Sequence, residues 1–187
     1  MSQTLRLIAD PPSELASPSE FAEAMSAHAS GVVLVTCEVG GRPWGMTVTA
    51  FASVSADPPT VLVSLGSETT AARAIAATRA FGISILGEDL LPVALYGSIP
   101  RATKFLEPLI EAGRSSTNAI GGALAHLDCE LTDAVEVADH TVFFGRVRAA
   151  WAVEEGTPLL HHRRDFRTLA IPDPEPRTER STGCLAN

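Results

Sequence analysis

An alternation of apolar and hydroxyl-bearing residues is the feature that most restricts how this chain can fold. It runs from Met46 to Ser55 in the sequence MTVTAFASVS. Because side chains of a β-strand point alternately to opposite faces, this spacing predicts one strand with an apolar face and a face rich in hydroxyl groups. The Asp57-Pro58-Pro59 triplet then predicts a corner, and residues 60–65 (TVLVSL) predict another short strand.

Further strands are predicted on both sides of this segment. The β-branched run at 32–39 predicts a buried strand, and the turn at 40–43 (GGRP) predicts that the next strand pairs with it as a hairpin. Residues 81–86 predict one more strand. Alternating segments follow in the second half, LDCEL, AVEVA, TVFFGRV and AAWAVE, and the short VADHT connection favours a hairpin between two of them.

This succession of short antiparallel strands predicts a mainly β protein, a small β-barrel with helices at its edges. An α/β fold is the weaker alternative. Only one strand–helix–strand unit is evident, and no GxGxxG sequence follows a strand.

The predicted helices are peripheral. Ser17 is placed to cap the first one, with Pro18 at its first position and Glu20 completing a capping box. Phe21, Met25 and Ala29 share one face at helical spacing, and Gly31 is predicted to end the helix. A second helix is predicted over TTAARAIAATRA, capped by Ser67 or Thr69, and a third, interrupted by prolines, over residues 88–113.

Length and charge limit the organisation and the partners. The 187 residues predict one domain over residues 17–171, with a flexible arm at 1–16 and a disordered, Pro- and charge-rich tail at 172–187. A net charge of −8 without a basic block argues against nucleic acid or an anionic membrane as the main partner. No apolar run approaches the roughly 20 residues of a membrane span, which predicts a cytoplasmic protein.

Familiar catalytic and metal-binding motifs are absent from the sequence. There is no GxSxG, P-loop, HExxH or CxxC, and the histidines have no telling spacing to a carboxylate. Cys37 and Cys129 are expected in the core and Cys184 in the tail. Hydrolysis, phosphoryl transfer, a structural metal and a disulfide framework therefore have no positive support.

Two hydroxyl clusters are candidate ligand contacts. Thr47, Thr49 and Ser53 lie on the predicted strand, where small side chains let a flat, polar-edged heterocycle approach the backbone. The second cluster, at residues 67–70 (SETT), lies where a strand gives way to a helix, and hydroxyls with free amides at a helix N-terminus suit a phosphate. Threonine is also an ordinary strand residue, and Ser and Thr are ordinary helix caps.

Residues 18–170 resemble the flavin reductase-like, FMN-binding split-barrel family, the short reductase components of two-component monooxygenases. The resemblance rests on an ordered series of motifs: FAEAMSAHASGVVLVT, GMTVTAFASVSADPPTVLVSL, FGISIL, the Lys104-Phe105 pair, ADHTVFFGRV and PLLHHRRDFRTL. It implies an antiparallel greek-key split β-barrel, usually a homodimer with flavin near the subunit interface. It also implies an NAD(P)H-dependent flavin reductase that uses FMN or FAD and supplies reduced flavin to a partner monooxygenase.

The resemblance also implies a set of binding residues. Those expected along the isoalloxazine edge are Met46, Thr47, Val48, Thr49 and Ala50. Those expected along the ribityl chain toward the phosphate are Ser64, Leu65, Gly66, Ser67 and Thr70. Lys104 is expected to meet a phosphate or pyrophosphate, and His140 to lie near the nicotinamide or to be an ordinary strand-end histidine.

Several alternatives remain open at this stage. A flavin-binding module without reductase turnover, such as a carrier or sensor, is the principal one, and a haem-linked or deazaflavin-dependent relative is another. Arg163 and Arg164 are interpreted as a solvated turn in preference to a contact with cofactor phosphates, and the roles of His161 and His162 are open. The sequence does not decide between FMN and FAD as the flavin, or between NADH and NADPH as the hydride donor.

Overall fold

The structure is a computed structural model that describes residues 15–111 and 116–169. Within these two ranges, three α-helices and ten strands follow one another. In order they are α1 (Pro18–Ser26), β1 (Ser30–Gly31), β2 (Val33–Val39), β3 (Arg42–Val48), β4 (Phe51–Ala56), β5 (Pro59–Gly66), α2 (Thr70–Thr78), β6 (Ala80–Ile85), α3 (Leu91–Ser98), β7 (Ala125–Val137), β8 (His140–Ala152), β9 (Leu159–His162) and β10 (Asp165–Thr168). Short 3₁₀ turns occupy Glu88–Leu90 and Glu107–Leu109.

The strands form a seven-stranded antiparallel sheet and a small three-stranded one. The large sheet has the order β3-β2-β6-β7-β8-β5-β4, and the small one the order β1-β9-β10. The predicted mainly β architecture with peripheral helices is confirmed. The hairpin of β2 and β3 is also confirmed, and its turn places Gly40 and Gly41 at φ of 61° and 75°, which favours glycine.

The single strand predicted from Met46 to Ser55 is wrong. The chain leaves the sheet at Thr49 and Ala50, and the strands on either side, β3 and β4, lie at opposite margins of the seven-stranded sheet. The apolar face does not carry through the break, because Ala52 and Val54 of β4 are exposed and Phe51 packs against the core instead. This break is the split between the two edge strands.

The second half contains two long strands instead of four short ones. Strands β7 and β8 each span 13 residues and pair over their whole length. Register shifts between Asp128 and Cys129 and between Leu131 and Asp133 insert extra residues. Because each insertion reverses which side chains face inward, the alternation appears interrupted although the strand continues. The predicted hairpin at Ala138-Asp139 is confirmed.

The core lies mostly inside the curved sheet, with a second cluster beneath α3. Val35, Val63 and Phe81 are fully buried in the first cluster. Leu34 and Leu106 are fully buried in the second, which packs between β2 and the segments around α3. The free thiols of Cys37 and Cys129 are buried, as predicted, and Cys184 lies outside the described residues.

A buried polar cluster joins β6 and β7 to the loop before β7. Ser84 Oγ lies 2.9 Å from Nδ1 of His126 and accepts the backbone N–H of Ile120 at 3.1 Å. Nε2 of His126 lies 3.1 Å from the Thr117 hydroxyl, which also donates to Asp128. Burial lowers the pKa of His126, against the opposing charge of Asp128, so the ring is neutral near pH 7.

The helix caps agree with the prediction more closely than the helix ends do. In α1, Ser17 and Glu20 form the capping box and Pro18 starts the helix, as predicted, but α1 ends at Ser26 rather than Gly31. Its Phe21 and Met25 are 63% and 48% exposed, so the face they share is not a core face in this chain. Thr69, rather than Ser67, caps α2.

The predicted terminal segments fall largely outside what the structure describes. Residues 1–14 and 170–187, which contain most of the predicted arm and tail, are not among the described residues. Within 15–111 and 116–169, no helix is long and apolar enough to cross a lipid bilayer.

Candidate functional site

A cavity of about 730 Å³ opens between strand β3, the start of α2 and the segment that follows α3. It is partly open to solvent. Its lining residues are Trp44, Met46, Thr47, Gly66, Glu68, Thr69, Thr70, Ala71, Arg73, Gly97, Ser98, Pro100, Arg101, Ala102, Lys104 and Asp139. The volume is that of a site for a cofactor-sized ligand.

Strand β3 forms the first wall through Met46 and Thr47. The Thr47 hydroxyl donates to the carbonyl of Ala94 in α3 at 2.7 Å. Its proton is therefore used within the protein, and toward a ligand the oxygen offers acceptor capacity only. Gly97 lets α3 approach this closely, because a Cβ there would lie 3.0 Å from the backbone nitrogen of Thr47.

The first turn of α2 forms the second wall. Thr69 caps the helix by accepting the backbone N–H of Ala72 at 3.2 Å. The amides of Thr70 and Ala71 lie in the first helical turn, where intrahelical acceptors do not exist. Ser67 is tied to the β7–β8 hairpin, since its hydroxyl lies 2.8 Å from that of Thr141. This wall presents partial positive charge to the cavity.

Lys104 dominates the third wall. The residue is only 8% exposed, and no carboxylate or hydrogen-bond acceptor within the described parts of the chain pairs with its ammonium group. Burial lowers the pKa of Lys104. The Lys104 side chain lines the cavity, so an anion that enters it would gain a charge-assisted interaction with the ammonium group.

The segment that carries Lys104 is docked on strand β3. Its carbonyl accepts the backbone N–H of Gly45 at 3.1 Å, and the N–H of Leu106 donates to Pro43 at 3.0 Å. Phe105 packs edge-on against Trp44 with ring centroids 5.1 Å apart. These contacts fix the segment against the outer edge of β3.

The rim of the cavity carries Glu68 and Asp139 together with Arg73 and Arg101, and both carboxylates are engaged. Asp139 Oδ1 lies 2.7 Å from Nδ1 of His140, and this hydrogen bond lowers the pKa of Asp139. Glu68 accepts from Arg73 at 3.2 Å. All these side chains are exposed, so the cavity interior is left with Lys104 and the amides of α2 as its main electrostatic features.

Not all of the residues expected at the site lie on the cavity. Met46, Thr47, Gly66, Thr70 and Lys104 line it. The side chains of Val48 and Leu65 are buried in the core, which leaves only their backbone groups for a ligand. Ser67 adjoins the lining.

The remaining expected residues are placed beside the cavity. Thr49 and Ala50 are exposed in the break between β3 and β4, next to half-buried Ser64, whose N–H donates to Ala50. His140 is exposed and reaches the rim through its hydrogen bond to Asp139.

Other lining residues were missed from the sequence. Trp44 sits two residues before the recognised strand motif, and its large aromatic ring was a signal that was not used. Arg101 has a left-handed backbone with φ of 58° in the segment after α3, and no motif marks that position. Arg163 and Arg164 form the β9–β10 turn, as predicted, and Arg164 pairs with Glu23 at 3.1 Å.

The arrangement favours binding of a flat, anionic molecule over acid–base or metal chemistry. The described residues contain no group of three or more His, Cys, Asp or Glu side chains arranged to hold a metal ion. One wall carries small side chains and Met46, and the other two carry the α2 amides and Lys104. A planar ligand with a phosphate at one end matches this distribution.

The known proteins to which this chain is similar are flavin reductases. Residues 25–170 match the model of the flavin reductase like domain. An NADH-dependent flavin reductase of Rhodococcus is 36% identical over 161 residues, covering 82% of this chain and 88% of that protein. An FMN reductase (NADH) of Methylorubrum extorquens is 36% identical over 166 residues, covering 87% and 95%. The solved styrene monooxygenase flavin reductase of Pseudomonas putida is 33% identical, with a TM-score of 0.75 over 82% of this chain and 99% of that one.

Proposed function

Since the chain belongs to the flavin reductase-like family, with the split-barrel fold of its structural neighbours, we propose that it is an NADH-dependent flavin reductase. It reduces FMN, or FAD, and supplies the reduced flavin to a partner monooxygenase. The relatives named NADH-dependent flavin reductase, FMN reductase (NADH) and styrene monooxygenase flavin reductase support this reaction class and this type of partner.

The observation that carries the proposal is the buried, unpaired Lys104 facing the first turn of α2 across the cavity. We assign the flavin phosphate to this position, between the Lys104 ammonium and the amides of Thr70 and Ala71. The ribityl chain would pass Gly66 and Ser67, and the isoalloxazine ring would lie against Met46 and Thr47. The backbone of Val48, Thr49, Ala50, Ser64 and Leu65 continues this surface.

The residues of the chain bind and orient, and none has to act as a strong acid or base. When both cofactors are bound, the nicotinamide and the flavin supply hydride transfer from C4 to N5. The protein must hold the two rings at about 3–3.5 Å and keep the ring face open to the second cofactor. His140, fixed by Asp139 at the rim, is placed to orient the nicotinamide end of the hydride donor.

We also propose a homodimer and a cytoplasmic location. The tip of the β7–β8 hairpin exposes Val135 and Val137 to solvent, at 45% and 57%, next to Asp139 at the cavity rim. Covering this apolar tip by a second copy would place the subunit interface beside the flavin. The molar mass from light scattering tests the dimer. The cytoplasmic location is proposed because NADH and free flavin, the two substrates, are both supplied there.

The reductase function is tested by mixing the purified protein with NADH and FMN or FAD under anaerobic conditions. Bleaching of the visible flavin band is the expected result, and a parallel arm with NADPH measures the preference between donors. Flavin that binds but is bleached by neither nicotinamide would refute the proposal. If that flavin is also tightly bound on purification, the result would indicate a carrier or sensor.

A further inference from the structure

The segment that carries Lys104 is held on its second side by one phenol group. The hydroxyl of Tyr96, in α3, donates to the carbonyl of Thr103 at 2.9 Å and reaches the carbonyl of Phe105 at 3.4 Å. These two residues flank Lys104 directly in sequence. A single side chain therefore holds the backbone immediately before and after Lys104.

The other backbone hydrogen bonds of the segment come from β3 and cannot replace this one. Gly45 and Pro43 bond the backbone of Lys104 and Leu106 along the strand edge. They set the distance of the segment from β3, whereas Tyr96 ties it to α3, the element behind the cavity wall. Without the phenol, the carbonyls that it bonds would turn toward water, and the direction of the Lys104 side chain would be less restricted.

We propose that Tyr96 is a positioning residue that directs Lys104 into the cavity and thereby sets the preference for phosphorylated flavins over riboflavin. The inference rests on the proposed reductase function. It concerns the phosphate group that FMN and FAD share, and it assigns Tyr96 no contact with the isoalloxazine ring. Tyr96 itself is not among the residues that line the cavity.

The first test compares KM for riboflavin, FMN and FAD in the wild type, Tyr96→Phe, Lys104→Met and the double variant. Tyr96→Phe is expected to raise KM for FMN and FAD about 2- to 10-fold, the effect of one neutral hydrogen bond. Lys104→Met is expected to raise it about 10- to 100-fold. Neither substitution should change KM for riboflavin, because riboflavin lacks the phosphate.

The double variant separates positioning from a general structural role. If Tyr96 acts through Lys104, then Tyr96→Phe has no further effect on the FMN-to-riboflavin ratio once Lys104 is Met. Leu95→Ala is the matched control, because Leu95 is a half-exposed neighbour on α3 and should leave the ratio unchanged.

A second test leaves the chain almost intact. Tyr96 is the only tyrosine among the 187 residues, so growth on 3-fluorotyrosine labels this position alone. The single ¹⁹F resonance is expected to shift when FMN is added and to move little with riboflavin. This readout remains usable if Tyr96→Phe does not fold.

The outcomes are distinct. A wild type that reduces FMN, combined with an unchanged FMN-to-riboflavin ratio in Tyr96→Phe and equal ¹⁹F shifts for both flavins, would overturn the role of Tyr96 alone. A wild type that reduces no flavin would overturn the reductase function on which the inference rests. A shift and a KM effect with FAD but not with FMN would overturn the assignment of Lys104 and Tyr96 to the phosphate that the two flavins share.

Discussion

Replacing Gly97 by alanine should destabilise this protein, although the same change stabilises most helices. Gly97 lies near the end of α3, where the helix crosses β3. An added Cβ would lie 2.7 Å from Cδ1 of Leu34 and 3.0 Å from the backbone nitrogen of Thr47, and closer still to the Thr47 hydroxyl. Leu34 is fully buried, so neither neighbour has free space to move into.

One stabilising and two destabilising effects determine the change in the free energy of unfolding. Replacing Gly by Ala inside a helix is worth about 1 kcal/mol in favour of folding. Overpacking a filled interior costs about 1–3 kcal/mol, and turning Thr47 away would lose its hydrogen bond to Ala94, about 0.5–1.5 kcal/mol. We expect Gly97→Ala to lower the free energy of unfolding by about 1–3 kcal/mol.

Urea denaturation of the purified protein measures this change. Gly31→Ala is the control, because no atom outside its chain neighbours lies within 4 Å of the added Cβ. KM for FMN in Gly97→Ala should also rise, since Thr47 and Gly97 both line the cavity. A Gly97→Ala protein as stable as the wild type, or more so, would show that the α3–β3 contact is less close than described.

Three further measurements address the core and the cavity. Ser84→Ala removes the partner of Nδ1 of buried His126, and we expect urea denaturation to show a loss of about 1–3 kcal/mol; wild-type stability would contradict this. Burial raises the pKa of the Cys37 and Cys129 thiols to about 12. Because unfolded thiols ionise near about 8.5, the unfolded chain loses protons that the folded chain keeps, so stability should fall between about pH 8.5 and 12. Replacing both cysteines by alanine should flatten this fall, and an identical slope would refute the assignment. FMN should quench the fluorescence of Trp44, which lines the cavity, and Trp44→Phe should lose most of that quenching; equal quenching in the variant would place the flavin elsewhere.

Local signals in the sequence were sufficient for caps and turns. The Ser17-Pro18-Ser19-Glu20 stretch specifies its own conformation through neighbouring hydrogen bonds, and the Gly40-Gly41 turn does so through positive φ values. Such features depend on residues a few positions apart. They are therefore predictable without knowledge of the rest of the chain.

Features that depend on distant partners were not predictable in this way. The pattern over 46–55 is uniform, yet the chain exchanges one sheet margin for the other within it, because hydrophobic periodicity does not record which strand is the neighbour. The bulges between β7 and β8 have the opposite effect, since they break the pattern inside a continuous strand. Prediction from periodicity alone therefore gave one strand where the structure has β3 and β4, and several short strands where it has the long strands β7 and β8.

The same distinction explains the candidate site. Lys104 was expected from the family resemblance, but its burial and its lack of an acidic partner in the described chain are tertiary facts. Thr47 was expected along the isoalloxazine edge, and only the approach of α3 shows that its hydroxyl proton goes to the carbonyl of Ala94. Tyr96 has no local motif at all, because its role arises from carbonyls that reach it from a later segment.

The link between β3 and β4 raises the question of whether the fold depends on the order in which the strands are connected along the chain. Two residues, Thr49 and Ala50, link the outermost strands of a sheet in which each of those strands pairs with a different neighbour. At the other side of the molecule, Ser30 in β1 lies opposite His161 in β9, so early and late parts of the chain already run side by side. A circularly permuted protein that opens at 49–50 and joins the original ends through a linker would keep every strand pair, and its activity would measure what the covalent link itself contributes to the cavity.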